Sequence, residues 1–228
     1  MRPRLRRPVL GTGLLNVSGN ARSSAPSTFV LSASGAIRTA SCWGSDLYGD
    51  ILLTERNEDF VILHAGVYHL CGVRSDDSLT CWGAGLEGAT DFADRGQSVV
   101  PPGEYKDVAT GTVNTCALRT DGTLVCFGDD ESGINEPPSG SYDQVTVGDN
   151  HACALRSDGS AVCWGQGGPD DALNGTIYDH SGQAIPPPDR FLTLDAGAYF
   201  NCGITLEHAI VCWGRDEDGQ ATPPEDFP

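Results

Sequence analysis

The strongest constraint on this chain is a spacing that it repeats. With Gly66, Gly111, Gly148 and Gly197 set in register, a cysteine follows five residues later each time, at Cys71, Cys116, Cys153 and Cys202. A second cysteine follows ten residues after that, at Cys81, Cys126, Cys163 and Cys212. Next come an aromatic and a glycine, as Trp82-Gly83, Phe127-Gly128, Trp164-Gly165 and Trp213-Gly214. Another aromatic stands six residues before each leading glycine, at Phe60, Tyr105, Tyr142 and Phe191, and Phe227 occupies the same place near the chain end. The steps between units are 45, 37 and 49 residues, so length varies in one loop only. A partial copy, FVLSASGAIRTASCWG, matches with Cys42-Trp43-Gly44 and has Ser32 at the first cysteine position, which makes five visible copies.

Each unit reads as a β-hairpin. Between Cys116 and Cys126, the stretch Thr120-Asp121-Gly122 forms a three-residue loop with Gly placed to take a positive φ. The two cysteines then fall directly opposite each other as a non-hydrogen-bonded pair, with a Cα separation near 4.5 Å that a disulfide accepts at the short edge of its range. Two units depart from this turn. Asp77 stands where Gly is expected in the first full unit, and Leu206-Glu207-His208 lacks the Gly in the last, which predicts strained or reshaped turns there.

One face of the hairpin carries the cysteines with Leu118 and Leu124, and the other carries Ala117, Val125 and Phe127. A hairpin wetted on one side alternates apolar and polar residues; with both faces apolar, these strands are expected to be covered on both sides. Radially stacked sheets at periods of about 40 to 50 residues describe a β-propeller. Composition agrees: 29 Gly, 14 Pro and a lone Lys, at position 106, suit short strands and many turns rather than amphipathic helices. The fold class expected is all-β, a propeller of short blades in five repeats, with an incomplete or open ring among the forms so few repeats allow. The propeller is expected over residues 27–228, in units of about 27–60, 61–105, 106–142, 143–191 and 192–228, behind an N-terminal tail or weak signal segment at 1–26.

The formal charge is −17. Arg2, Arg4, Arg6, Arg7 and Arg22 precede the first acidic residue, Asp46, so all 31 acidic residues lie in the part of the chain that holds the other nine cations. Such a body repels a phosphate backbone and excludes nucleic acid as partner. No apolar run reaches the roughly 20 residues that span a bilayer, so membrane insertion is not expected.

Eight of the nine cysteines sit in four identical frames. Disulfides Cys71–Cys81, Cys116–Cys126, Cys153–Cys163 and Cys202–Cys212 are the expected pairs, and such staples matter in an oxidising compartment, which points to a secreted or cell-surface protein. A cross-strand pair supplies only two of the four ligands zinc needs, and no C-x-x-C occurs, so neither a metal nor a redox function is read here. Cys42 is left over, either buried and inert or paired between chains.

His69 and His151 share one unit position, filled by Asn114 and Phe200 in the other copies, and read as a polar position capping a turn. No nucleophile elbow, H-E-x-x-H or phosphate-binding glycine loop is present, and no cofactor is implied. Asp216-Glu217-Asp218-Gly219 opens like a calcium loop but has Phe227 at the twelfth position, where such a loop needs Glu, and reads as a solvated turn. Two long excursions, Gly85 to Val100 and Gln166 to Pro187, leave their units at the same point, after Trp-Gly, and are expected on one rim. Loops on a rigid scaffold carry recognition, and Phe92, Arg95, Tyr178 and His180 are the candidate anchors within them. The second excursion also contains a glycosylation sequon, Asn174-Gly-Thr176.

The unit Gly-x-x-His-x-Cys-Ala-Leu-Arg-x-Asp-Gly-x-x-x-Cys-Trp-Gly, seen at Gly148 to Gly165, resembles the regulator of chromosome condensation repeat. With its cysteines and with Pro-Pro before the aromatic, as in Pro137-Pro138-Ser-Gly-Ser-Tyr142, it is similar to secreted bacterial members of that superfamily, among which is a propeller-type β-lactamase inhibitor. The resemblance covers about residues 27 to 228 and implies a β-propeller, usually seven-bladed, that serves as a protein-binding platform. The acidic surface does not suit the chromatin-binding founder, so nucleotide exchange and nucleosome binding are not carried over. The expected function is a non-enzymatic extracellular binding module for another protein or a surface glycan. The alternatives are a hydrolase or lyase with acidic residues in the central channel, and a structural repeat of a larger surface protein.

Overall fold

A computed structural model describes residues 29–34, 37–42, 59–86, 93–168 and 181–224; over 29–42 it describes the backbone alone. Among the described residues the structure is all-β, with no helix. Strands β1 (Phe29–Ser34) and β2 (Ile37–Cys42) form a two-stranded hairpin. Four three-stranded antiparallel blades follow. Blade 1 is β3 (Phe60–Ala65), β4 (His69–Arg74) and β5 (Leu79–Gly83). Blade 2 is β6 (Tyr105–Thr110), β7 (Asn114–Arg119) and β8 (Leu124–Gly128). Blade 3 is β9 (Gln144–Val147), β10 (His151–Leu155) and β11 (Ala161–Gly165), and blade 4 is β12 (Phe191–Ala196), β13 (Phe200–Thr205) and β14 (Ile210–Gly214). The middle strand of each sheet is the middle strand in sequence. Successive first strands pack against one another along the axis.

The hairpin register follows from the turns. Cys71 faces Cys81, Cys116 faces Cys126, Cys153 faces Cys163 and Cys202 faces Cys212. All four pairs are bonded, with Cα separations of 4.0–4.1 Å. The third residue of the hairpin loop takes the left-handed conformation in every blade: Gly122 at φ 91°, Gly159 at 82°, but also Asp77 at 66° and His208 at 65°. The two non-glycine turns therefore keep the shape of the others and carry the strain, rather than adopting another shape.

The apolar character of both hairpin faces is explained by stacking. Cys71, Val73 and Cys81 of blade 1 are buried against Tyr105, Val108 and Phe127 of blade 2. Cys116, Leu118 and Cys126 of blade 2 meet Tyr142, Val145 and Trp164 of blade 3, and Cys153 and Leu155 of blade 3 meet Phe191, Leu194 and Trp213 of blade 4. Each of the first three disulfides thus does two things: it clips its own hairpin and fills the seam to the next blade.

The leading glycines are required by the same stacking. A Cβ on Gly66 would lie 2.3 Å from the carbonyl oxygen of Gly111, and one on Gly111 would lie 2.2 Å from that of Gly148. Backbone meets backbone at these turns, where Val67 N–H donates to Gly111 O at 3.2 Å and Asp149 N–H to Ala198 O at 3.0 Å.

Candidate binding face

The three inter-blade loops and the segment after β14 leave from one end of the blades. Each outer strand is followed by an amide that donates to the turn between first and middle strands: Ala84 to Tyr68, Asp129 to Val113, Gln166 to Asn150 and Arg215 to Tyr199, at 2.8–3.0 Å. The glycine turns lie at this end too. The two long excursions therefore start beside the mouth of the axis, while the Asp-Gly hairpin turns lie at the opposite end, where Tyr105 and Tyr142 begin the next blades by donating their amides to Asp77 O and Gly122 O.

Each long excursion is pinned where it returns to the scaffold. Gln97, fully buried, donates Nε2–H to Ala93 O at 2.6 Å and accepts the Arg95 amide on Oε1 at 2.8 Å. Its backbone oxygen accepts the hydroxyl of Thr115 at 2.8 Å, and Thr115 Oγ1 lies 2.7 Å from Nε2 of His69. Because the Thr115 proton goes to Gln97, the hydroxyl oxygen accepts from His69, which places the imidazole proton on Nε2. The second excursion repeats this. Gln183 is fully buried, its Oε1 accepts the Ser181 amide at 3.0 Å, and its backbone oxygen accepts Asn201 Nδ2 at 2.9 Å and Trp213 Nε1 at 3.1 Å. Asn201 Oδ1 in turn lies 3.0 Å from Nε2 of His151. Gly85 and Gly167, at φ 82° and 83°, make room, since a Cβ on either would lie 2.1–2.2 Å from the glutamine side chain.

His69 and His151 are thus not turn caps. They are buried at blade seams, where each ring lies over the leading glycine of its own turn, Gly66 or Gly148, and reaches across to Thr115 or Asn201 of the neighbouring blade. Burial pushes the pKa of His69 down to about 3 and that of His151 down to about 4, and Nδ1 of each has no hydrogen-bond partner. At the seam between blades 2 and 3 the counterparts are Asn114 and Ala152, and there the loop is short: Trp164 Nε1 donates to Ile134 O at 2.8 Å. The glutamines escaped the sequence reading, although a signal existed in Gly96-Gln97, Gly182-Gln183 and Gly219-Gln220, each ahead of a Pro-Pro.

Of the candidate anchors, Arg95 is half-exposed at the loop end, its Nε 3.6 Å from Oδ1 of Asp129, so it ties the first excursion to the next loop. Phe92, Tyr178 and His180 lie outside the described residues, as do the Asn174 sequon and Phe227. Cys42 ends β2, and its side chain is likewise not described. Asp216 behaves as a turn residue, accepting the Ala221 amide at 2.7 Å and the Thr222 hydroxyl at 2.6 Å.

A small cleft at the axis is lined by His64, Thr110 and Asp195 with Gly66, Gly111 and Gly148. His64 Nδ1 is met by the Thr110 amide at 3.1 Å and its hydroxyl at 2.8 Å, and burial lowers the imidazole pKa, with Asp195 opposing. Asp195 is the one carboxylate among the described lining residues. Among the described residues, no group of three or more His, Cys, Asp or Glu is arranged to hold a metal ion, and no helix is long and apolar enough to cross a membrane.

Stapled three-stranded blades following one another around an axis, with loops issuing from one end, define a β-propeller of repeated units. The repeats identify it further: the model of the Regulator of chromosome condensation (RCC1) repeat matches residues 105–134 and 142–168, so blades 2 and 3 carry repeats of this type. Similar solved structures include the entire ectodomain of the receptor kinase CR4 from Physcomitrella patens, at 26% identity and TM-score 0.59 over 82% of this chain and 48% of that one. The CRINKLY WD40 ectodomain of the Arabidopsis thaliana receptor kinase ACR4 matches at 23% identity and TM-score 0.60, over 82% of this chain and 65% of that one. Prp20p from Saccharomyces cerevisiae, a structure described together with binding to Gsp1p and histones, matches at 14% identity and TM-score 0.61, over 87% and 60%. This chain thus spans about half to two thirds of the length of these proteins.

Proposed function

We propose that the protein is a non-enzymatic, extracellular protein-binding module whose excursions after blades 1 and 3 make the contact. The observation that carries this reading is the duplicated anchor: His69–Thr115–Gln97 and His151–Asn201–Gln183 fix the returns of two long loops at one end of a stapled scaffold. A site whose base is immobilised holds its contact residues in place before a partner arrives, which lowers the ordering cost of binding. Phe92, Arg95, Tyr178 and His180 are the residues proposed to touch the partner. Four disulfides and the likeness to two receptor-kinase ectodomains support an extracellular site of action. The axial cleft does not favour the rival hydrolase or lyase, since paired-carboxylate chemistry needs two carboxyls about 5 to 10 Å apart and Asp195 stands by itself among the described lining residues.

The test is a comparison of two ends. The native chain, a Phe92→Ser/Tyr178→Ser/His180→Ser variant and an Arg156→Ser/Arg190→Ser variant at the hairpin-turn end are immobilised and exposed to the extracellular proteins of the source. Partners held by the native chain are expected to be lost from the first variant and kept by the second. Partners retained by the loop variant would remove the assignment.

A further inference from the structure

The returning ends of the loops share one turn. The residue three positions after its glycine donates its amide back to that glycine's carbonyl: Val99 to Gly96 and Ile185 to Gly182 at 3.0 Å, Glu136 to Gly133 and Thr222 to Gly219 at 3.3 Å. These four residues occupy equivalent places at the loop end, and all are exposed. In order around the rim the first three are apolar, acidic and apolar, with Val99 42% and Ile185 50% exposed on either side of Glu136. Single exposed aliphatic residues are ordinary on a protein surface. These two recur at one position of a turn whose glutamine is fully buried, and so are held in place.

Between them lies the acidic loop after blade 2. Asp130, Glu131 and Glu136 are exposed and have no ion-pair partner among the described residues. Asp129 is met by Arg95 of the neighbouring excursion at 3.6 Å, so the loop already takes a guanidinium from the chain itself. Its base is short of donors as well. Asn114, 1% exposed, gives Nδ2–H to the carbonyl of Asp129 and leaves Oδ1 without a partner. Asn135 gives Nδ2–H to Gly128 O at 2.9 Å and leaves its buried Oδ1 in the same state. The cations described at the loop end, Arg95 and Arg215, are each held by a carboxylate, Asp129 and Glu217. At the hairpin-turn end the cations are interleaved with the acids, as where Arg190 meets Asp158 at 2.7 Å and Lys106 meets Asp143 at 3.8 Å.

We propose that the loop end receives a cationic segment of the protein partner, whose Lys or Arg side chains settle on Asp130, Glu131 and Glu136 while apolar residues of the same segment cover Val99 and Ile185. The inference rests on the reading of this end as the binding face and adds the chemistry of the partner. An ammonium brings three donors and a guanidinium five, which is what a surface of carboxylates and orphaned amide oxygens lacks. Complementary charge of this kind also steers the encounter and selects against acidic partners.

The probe is fluorescein-labelled octalysine at physiological ionic strength, with the fold of each variant checked by its unfolding temperature. The native chain is expected to bind it. Asp130→Asn/Glu131→Gln/Glu136→Gln is expected to weaken binding about tenfold, the scale of three exposed ion pairs. Glu104→Gln/Asp189→Asn/Glu207→Gln removes as much charge from the hairpin-turn end and is expected to leave binding unchanged. A longer peptide with the same lysines and interspersed leucines is expected to bind more tightly than octalysine, and Val99→Ser/Ile185→Ser to remove that margin. Equal weakening by the two charge variants would reduce the effect to attraction by the whole body and overturn the proposal. So would a native chain that does not bind octalysine, equal affinity for the two peptides, or displacement of octalysine by millimolar calcium, which would assign the loop to a metal ion. The two readings fail separately: partners kept by the Phe92→Ser/Tyr178→Ser/His180→Ser variant remove the rim assignment. Partners lost from that variant but kept by the acidic-loop variant remove the cationic segment.

Discussion

Nε2 of His69 donates to Oγ1 of Thr115 across the first seam at 2.7 Å, and His151 and Asn201 repeat the contact two blades later at 3.0 Å. In both cases the far nitrogen is buried and unpartnered, so the folded protein holds each imidazole neutral. Unfolding returns them to a pKa near 6.5. Because the folded values are depressed, to about 3 and about 4, the unfolded chain binds more protons below pH 6.5. Stability is therefore complete above that pH and falls as the pH drops towards the folded values, by about 1.4 kcal/mol per unit for each histidine. Denaturant unfolding from pH 7 to 4.5 is expected to show this slope. A His69→Gln/His151→Gln variant, less stable at pH 7, is expected to show a slope reduced by two protons.

The two turns that hold a left-handed residue without glycine are places to gain stability. Asp77→Gly and His208→Gly relieve a conformation that costs an L-residue roughly 1 kcal/mol, although Gly also loses more entropy on folding. Each is expected to raise the unfolding temperature by a few degrees in calorimetry. Gly122→Ala and Gly159→Ala, the reverse change in the sister turns, are expected to lower it.

The glycines at the axis tolerate nothing larger. Gly66→Ala and Gly111→Ala put a methyl group against a neighbouring carbonyl, and the blades must separate to admit it. A loss of about 3 kcal/mol or more is expected from such a backbone clash, well beyond an ordinary surface substitution. Gly96→Ala and Gly133→Ala meet no atom within 4 Å of the added carbon, and their cost, set by φ 82° and 69°, is expected to be smaller. Urea midpoints of the four variants rank them.

The bridges differ in access. Both cysteines of Cys202–Cys212 are partly exposed on blade 4, whereas Cys153–Cys163 exposes only Cys163 in part and the cysteines of the other two bridges are all buried. Timed dithiothreitol treatment with alkylation of new thiols is expected to label Cys202 and Cys212 first, because a thiolate must approach the sulfur in line. Labelling of Cys116 or Cys126 before them would mean that the seams are looser than their packing indicates.

The cysteine frames and the Asp-Gly turns made the hairpins, their register and the bridges legible in the sequence, since turn length and a period of two fix which residues face each other. The apolar character of both faces announced stacking. What the sequence hid was contact between units. That His69 reaches Thr115, or that Gln97 holds the base of an excursion, depends on how one blade lies on the next, and no local pattern encodes that distance. The first strand of each blade was marked only by an aromatic six residues before the glycine, and three of the four first strands contain a register shift, after Phe60, Tyr105 and Phe191, which blurs any alternation. Three of the four anchors assigned to the excursions rest on residue type and loop position alone.

That each hairpin is clipped to itself and stacked on the next is tested most directly by peptide mapping of the unreduced protein. Digestion is expected to yield four linked pairs, 71 with 81, 116 with 126, 153 with 163 and 202 with 212, each ten residues apart. Links between cysteines of different units, or free thiols at these positions in the purified protein, would contradict it.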